Sequence, residues 1–239
     1  MEKRVWFSEE ALRFLRGLKR NNRREWFEAR RATWEGEVKA PMLALIERLT
    51  QGMAEYAPAH VRPAAKCLFR IYRDTRFSAD KSPYKTHVAA WWSRSGMEKT
   101  SGAGYYLLVS STELVIAAGA YMPEKEQTLA IRRRLLEAHE EWRRLIEDRK
   151  LLRFFAVHDP MALSRPPKGF PAEHPAMEWI RWRQWGVTAH LPAEMALSPQ
   201  LASEVEKRFR LAMPLVEFLN APLIQPEKKR VLVVAGLPR

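Results

Sequence analysis

The chain contains one cysteine, Cys67, so it can form no internal disulfide and no cysteine-based metal cluster. It has no apolar run near the roughly 18 residues that span a bilayer. Its first residues, Met1-Glu2-Lys3-Arg4-Val5-Trp6, lack the apolar stretch of a secretory signal. The expected compartment is therefore the cytoplasm, with no membrane partner. The histidines His60, His87, His139, His158, His174 and His190 show no His-Glu-x-x-His or similar spacing, so no metal site is expected. No Gly-x-Ser-x-Gly elbow supports serine catalysis. Gly102-Ala103-Gly104 is a lone Gly-x-Gly followed by a predicted strand, and it reads as a turn instead of a dinucleotide fingerprint. No cofactor is implied.

Acid is also scarce relative to base. Asp plus Glu total 28 against 41 Lys plus Arg, a net charge of +13. Of the bases, 28 are Arg and 13 are Lys. A guanidinium is a planar fork suited to phosphate and carboxylate, although codon usage in a GC-rich genome gives the same bias. This balance favours nucleic acid, a phosphate-bearing ligand or an acidic partner. With 239 residues, 46% of them hydrophobic, the chain has ample material for a core, and wholesale disorder is excluded.

Ser8 before Glu9 and Glu10 predicts a capped helix start, with Ala11, Phe14, Leu15 and Leu18 as its apolar stripe. Asn22 with Glu25 resembles a capping box. The following helix carries Phe27, Trp34, Val38, Met42, Leu45 and Leu49 on one face, with a kink or restart at Pro41. Strands are predicted at Cys67–Tyr72, His87–Trp92, Tyr105–Ser110 and Leu114–Ala118. Ser110 to Glu113 would form a hairpin connection. Glu124–Lys150 reads as one or two helices, Phe154–Phe170 as irregular, and Trp185–Leu191 as a further strand. A last helix runs from about Pro199 to Asn220, with Leu201, Val205, Phe209, Ala212, Val216 and Leu219 buried. Helices flank a run of strands instead of alternating with them. The expected fold is α+β, a mostly antiparallel sheet of about four to six strands flanked by N-terminal, central and C-terminal helices. Residues 1–222 would form one domain, and 223–239 a basic and apolar tail, either flexible or an edge strand.

The densest polar chemistry lies between Arg70 and Lys85: Arg70, Arg73, Asp74, Arg76, Lys81, Tyr84 and Lys85. On a regular strand Arg73 would face the core, which is costly for an unpaired charge. The strand is therefore expected to end or bulge there, with Asp74 as a partner. Guanidiniums, an ammonium and a phenol held on one loop suit a phosphate or carboxylate. The same residues can equally form a salt-bridge network that binds nothing.

These residues also carry a resemblance. Arg70, Arg73-Asp74, Arg76-Phe77, Lys81 and Tyr84 match the signature of domain of unknown function family 2461, which is bacterial with fungal relatives. Asn21-Asn22 through Trp26-Phe27, Gly104-Tyr105-Tyr106, Gly119 to Pro123, Pro166-Pro167-Lys168-Gly169-Phe170 and His174-Pro175 are similar to it as well. The likeness extends to about Pro222. It implies one architecture of this length and adds weight to Arg70–Tyr84 and to Lys168, but it implies no reaction.

Other features read as structural. Cys67 is expected to be buried. Trp179, Trp182 and Trp185, interleaved with Arg181 and Arg183, could stack bases but fit a packed helix face better. Arg132-Arg133-Arg134 and Arg143-Arg144, alternating with acids, read as a solvated helix with intrahelical pairs. Three functions compete. One is a binding module for a phosphate-bearing ligand or nucleic acid through the basic loop. Another is an enzyme acting on a small anionic substrate in a pocket built from the same residues, and an enclosed pocket with a shifted lysine or tyrosine would favour it. The third is a scaffold or protein-interaction domain in which the loop charges act as cement.

Overall fold

A computed structural model of the chain describes residues 4–97 and 100–224. The tail from 225 to 239 lies outside the described residues. The element order is helices, a β-meander, helices, two more strands and a long closing helix, an α+β arrangement.

Helix α1 (Glu9–Arg20) starts as its sequence dictates: the Ser8 side chain accepts from the Ala11 amide, and Glu9 and Glu10 sit at the positive end of the dipole. Its buried face is Ala11, Leu12, Phe14, Leu15 and Leu18. A short α2 (Arg24–Glu28) follows, and its N-cap is Arg23 without a side-chain cap bond. The expected capping box is not formed, because the Asn22 amide is engaged elsewhere. Helix α3 (Arg31–Thr33) runs into a π-helical stretch, Trp34–Lys39, and then α4 (Ala40–Tyr56). The Ala40 amide bonds to the Glu35 carbonyl five residues back. This wider turn is how the helix admits Pro41, whose ring excludes an ordinary i to i−4 bond.

The sheet has five strands in the order β1-β2-β3-β5-β4: β1 (His87–Trp92), β2 (Gly104–Ser110), β3 (Glu113–Ala120), β4 (Ala156–Val157) and β5 (Trp185–Pro192). Every neighbouring pair is antiparallel. Ser110 closes the hairpin between β2 and β3, its hydroxyl accepting from the amides of Thr112 and Glu113. The predicted strand over Cys67–Tyr72 is absent. Ala64–Cys67 is a helical turn, α5, and the segment then meets β1 through an isolated bridge, Leu68 to Ala90, and the bond from the Phe69 amide to the Ala89 carbonyl, while Tyr72 bridges Tyr84 outside the sheet. Its β-branched and aromatic content is used to bury Cys67 and Ile71 against the core, not to extend a ladder.

Helices α6 (Lys125–Glu137), α7 (His139–Ile146), α8 (Arg149–Leu152) and α9 (Met177–Ile180) fill the region between β3 and β5. Trp179, Trp182 and Trp185 are all buried, so their spacing is a core signature. Helix α10 (Leu201–Asn220) lies across β3 and packs on α4 and α7. It buries the predicted stripe, and Phe209 meets Trp92 and Tyr105 edge-on or tilted at 5.4 and 5.0 Å. Val88, Ala90 and Trp92 of β1, Tyr105, Leu107 and Val109 of β2, Leu114, Ile116 and Ala118 of β3 and Val187 of β5 form the sheet's contribution to this core. Strand alternation then sends the intervening side chains to the opposite face. Among the described residues no helix is long and apolar enough to cross a membrane.

Candidate functional site

The loop that the sequence singles out is pinned at its base and satisfied by its own groups. The Arg73 amide donates to the Pro83 carbonyl and the Lys85 amide to the Ile71 carbonyl, at 2.9 and 2.8 Å. Arg76 forms a fork on Asp74, with Nε to Oδ1 at 3.0 Å and Nη2 to Oδ2 at 2.8 Å. That pairing holds the exposed Asp74 carboxyl down at about 2. Arg73 pairs with Asp80, so its partner is not the Asp74 that sequence proximity suggested. Asp80 also accepts from the Ser82 amide, and Lys81 donates to the Thr75 carbonyl. At the tip Phe77 is 96% exposed.

Tyr84 is not on this surface. It is 2% exposed and stacked on Phe27 with ring centroids 4.2 Å apart. Asn22 holds its backbone from both sides. Lys168 stands on an exposed turn at 166–170, and no hydrogen bond or ion pair joins it to the loop among the described residues. Arg70 is exposed and close enough to Lys85 to disfavour its charge.

Lys85, of the predicted set, lines a cavity. This cavity, of about 510 Å³, lies on the face of the sheet opposite α10. Alternation builds it: His87, Ala89 and Trp91 from β1, Tyr106 from β2, Val115, Ala117 and Gly119 from β3, and Gly186, Thr188 and His190 from β5. Phe69, Tyr121 and His158 complete the wall. The floor is open because Ala89, Ala117, Gly119 and Gly186 leave little side chain above the strands. Gly119 (φ +140°) faces Gly186 across the β3–β5 ladder, and a Cβ on Gly119 would lie 2.2 Å from the Trp185 carbonyl oxygen.

The lining is apolar except for a few groups. Lys85 is half-buried, with its ammonium 5.0 Å from the Phe69 ring centroid. No carboxylate pairs with it among the described residues. Burial, and then Arg70, hold its pKa below the ordinary lysine range. Burial, and then the Lys85 charge, push His87 down. Burial likewise depresses His158, whose Nδ1 shares a 2.9 Å hydrogen bond with the Thr188 hydroxyl. His190 Nδ1 donates to Glu113 Oε2 at 2.8 Å, since a carboxylate only accepts. Burial raises the Tyr106 phenol to about 12. His87 and His158 therefore favour the neutral imidazole near pH 7 and can accept a hydrogen bond, while Lys85 brings an amine to the cavity wall. Among the described residues no three His, Cys, Asp or Glu are grouped to hold a metal.

Sequence reasoning passed over His87, His158, Thr188 and His190, because it tested histidines for spacing along the chain. The usable signal was two-residue alternation within the predicted strands. That alternation puts His87 and Ala89 on one face of β1, and Thr188 and His190 on one face of β5.

The profile of the family described as conserved hypothetical protein (DUF2461) matches residues 10–218. The chain belongs to this family. No curated protein matches it.

Proposed function

We propose that this DUF2461 member binds a small, largely apolar molecule carrying one anionic group in the sheet-face cavity, with Lys85 as the counter-charge. The observation that carries this reading is Lys85 itself. A half-buried ammonium without a carboxylate is costly to fold, and its position at the wall of an apolar cavity suits an incoming anion. The flat floor of Ala89, Ala117 and Gly186, bordered by Trp91, Tyr106 and Phe69, fits a planar body. The neutral imidazoles of His87 and His158 would accept hydrogen bonds from that ligand, and they extend the reading to general-base chemistry on it. The pocket is thus the one favoured by the substrate hypothesis, but it shares only Lys85 with the predicted loop set.

The test uses two fluorescent probes of one shape, anionic 1-anilinonaphthalene-8-sulfonate and neutral N-phenyl-1-naphthylamine. Wild type binds both and prefers the anion. Lys85→Met removes that preference by roughly tenfold, about the worth of one charge-assisted hydrogen bond, and leaves the neutral probe bound. Equal affinity of Lys85→Met and wild type for the sulfonate overturns the reading.

A second reading, a nucleic-acid surface on the 73–83 loop, is favoured by Phe77. An exposed ring with the Arg76 guanidinium 5.7 Å from its centroid has the form of a base-stacking element. Salt-sensitive binding of single-stranded DNA or RNA that Phe77→Ala loses would support it. Anisotropy that stays flat at low salt removes it.

A further inference from the structure

A second concavity, of about 550 Å³, lies beyond the end of β3 and is formed by Met122, Pro123, Leu163, one face of α6 and Arg183. Lys125, Thr128, Leu129 and Arg132 project from α6 at three- and four-residue steps, so they share one helix face. This corner collects three cations, Lys125, Arg132 and Arg183, and none of them is ion-paired to a carboxylate among the described residues. On the same helices Arg134 pairs with Glu141 and Arg143 with Glu140.

Arg132 is held in place. One guanidinium nitrogen donates to the Trp182 carbonyl at 3.1 Å, which fixes the plane of the group. Its Nε is buried and has no acceptor. Burial, and then the charge of Arg183, hold Arg132 below the ordinary arginine range. The Arg183 amide is bonded to the Pro160 carbonyl, which anchors its backbone, and its exposed side chain lies near enough to Arg132 for the two charges to interact. Two like charges in proximity are unfavourable without an anion between them. Met122, at the edge of the cleft, adopts a positive φ (46°). Such a conformation is rare for side chains of this size and concentrates at functional positions.

The geometry points to an oxyanion site in this cleft that takes the phosphoryl group of a small organic phosphate. Arg132 and Arg183 grip the oxygens, Lys125 adds charge at the rim, and Pro123, Leu129 and Leu163 receive the organic part. A guanidinium pair suits a phosphoryl group because planar forks match its oxygens. The site is separate from the sheet-face cavity, although Tyr121 lines that cavity and Met122 lines this cleft.

Isothermal titration with phenyl phosphate in a phosphate-free buffer tests the assignment, with phenol as the neutral control. Wild type is expected to bind the phosphate ester and not phenol. Arg183→Gln, at an exposed side chain, is expected to stay folded and to weaken binding at least about tenfold, and Arg132→Gln to do the same. Lys85→Met is the discriminating variant. If it keeps wild-type affinity for phenyl phosphate, the ester sits in the cleft. If it abolishes binding while Arg183→Gln does not, the ester sits in the sheet-face cavity and the cleft assignment fails. Absence of binding by wild type at millimolar ester also overturns it, and the Lys85 reading, tested with the naphthalene probes, is untouched.

Discussion

The Asn22 side chain closes both backbone hydrogen bonds of Tyr84, its Nδ2 donating to the Tyr84 carbonyl at 2.9 Å and its Oδ1 accepting from the Tyr84 amide at 3.1 Å. One amide thus does the work of a β-strand neighbour for a residue 62 positions away. It ties the base of the 73–83 loop to the turn between α1 and α2. The Phe27–Tyr84 stack lies directly behind it.

Asn22→Ala leaves both Tyr84 backbone groups without partners in a partly buried place. Stability is expected to fall by about 1–3 kcal/mol, read from the midpoint of urea unfolding. Asn22→Asp keeps the acceptor and loses the donor, so it should fall between Asn22→Ala and wild type. Equal midpoints for wild type and Asn22→Ala would show that the clamp is energetically idle.

Lys85→Met should make the protein more stable at neutral pH. Burial disfavours the ammonium in the folded state, so its folded pKa lies below the unfolded value of 10.5. Below both values the desolvation cost is fully present. As pH climbs through the folded value, the unfolded chain binds more protons and wild-type stability recovers. The advantage of Lys85→Met is therefore largest near pH 7 and shrinks toward pH 10.5, as urea midpoints at the two ends should show.

His60 sets an acid limit. It is buried, its Nδ1 lies 3.0 Å from the Trp92 carbonyl, and burial pulls it down to about 4 from 6.5. Above pH 6.5 the ring is neutral in both states and contributes no pH dependence. As pH falls from 6.5 to about 4, only the unfolded chain takes the proton, and stability drops by roughly 3 kcal/mol at 1.36 per unit. His60→Gln should flatten that limb in melts recorded across the range.

Arg73→Ala should leave the protein folded with a nearly unchanged melting temperature. The Arg73–Asp80 pair lies at the surface, with Asp80 exposed and Arg73 partly so, and such pairs contribute little. A large loss of melting temperature would restore the view of the loop charges as structural cement.

Ala117→Leu is expected to exclude both naphthalene probes and keep the fold, because the side chain faces the cavity and not the helix-covered core. Ile116→Ala, one residue away on the core face, should do the reverse: probe binding survives while stability falls by about 2–5 kcal/mol. Fluorescence titration paired with thermal melts separates the two faces.

Helices α1 and α10 and strands β1, β2, β3 and β5 were legible in the sequence because hydrophobic period and capping agree there. Cys67–Tyr72 was misread because its apolar residues serve isolated packing contacts, and periodicity cannot distinguish these from a strand. The capping-box reading of Asn22 failed for a related reason: the same amide can cap its own helix or clamp a distant backbone, and only the fold selects. The loop cations were found, but their pairing depends on a turn geometry that brings Asp80 to Arg73. The cavity depends on which strands become neighbours. His87 on β1 and His190 on β5 share it only because β2 and β3 lie between them.

The Gly119–Gly186 contact divides the cavity floor into two kinds of position. Neither glycine can gain a Cβ without prising β3 from β5, since the nearest backbone atoms would stand 2.2 and 2.6 Å away. Ala117 on β3 and Ala89 on β1 carry no such constraint. Combinatorial variation of the two alanines would regrade what the floor admits, one methyl at a time, while the glycines serve as the fixed hinge line of the library.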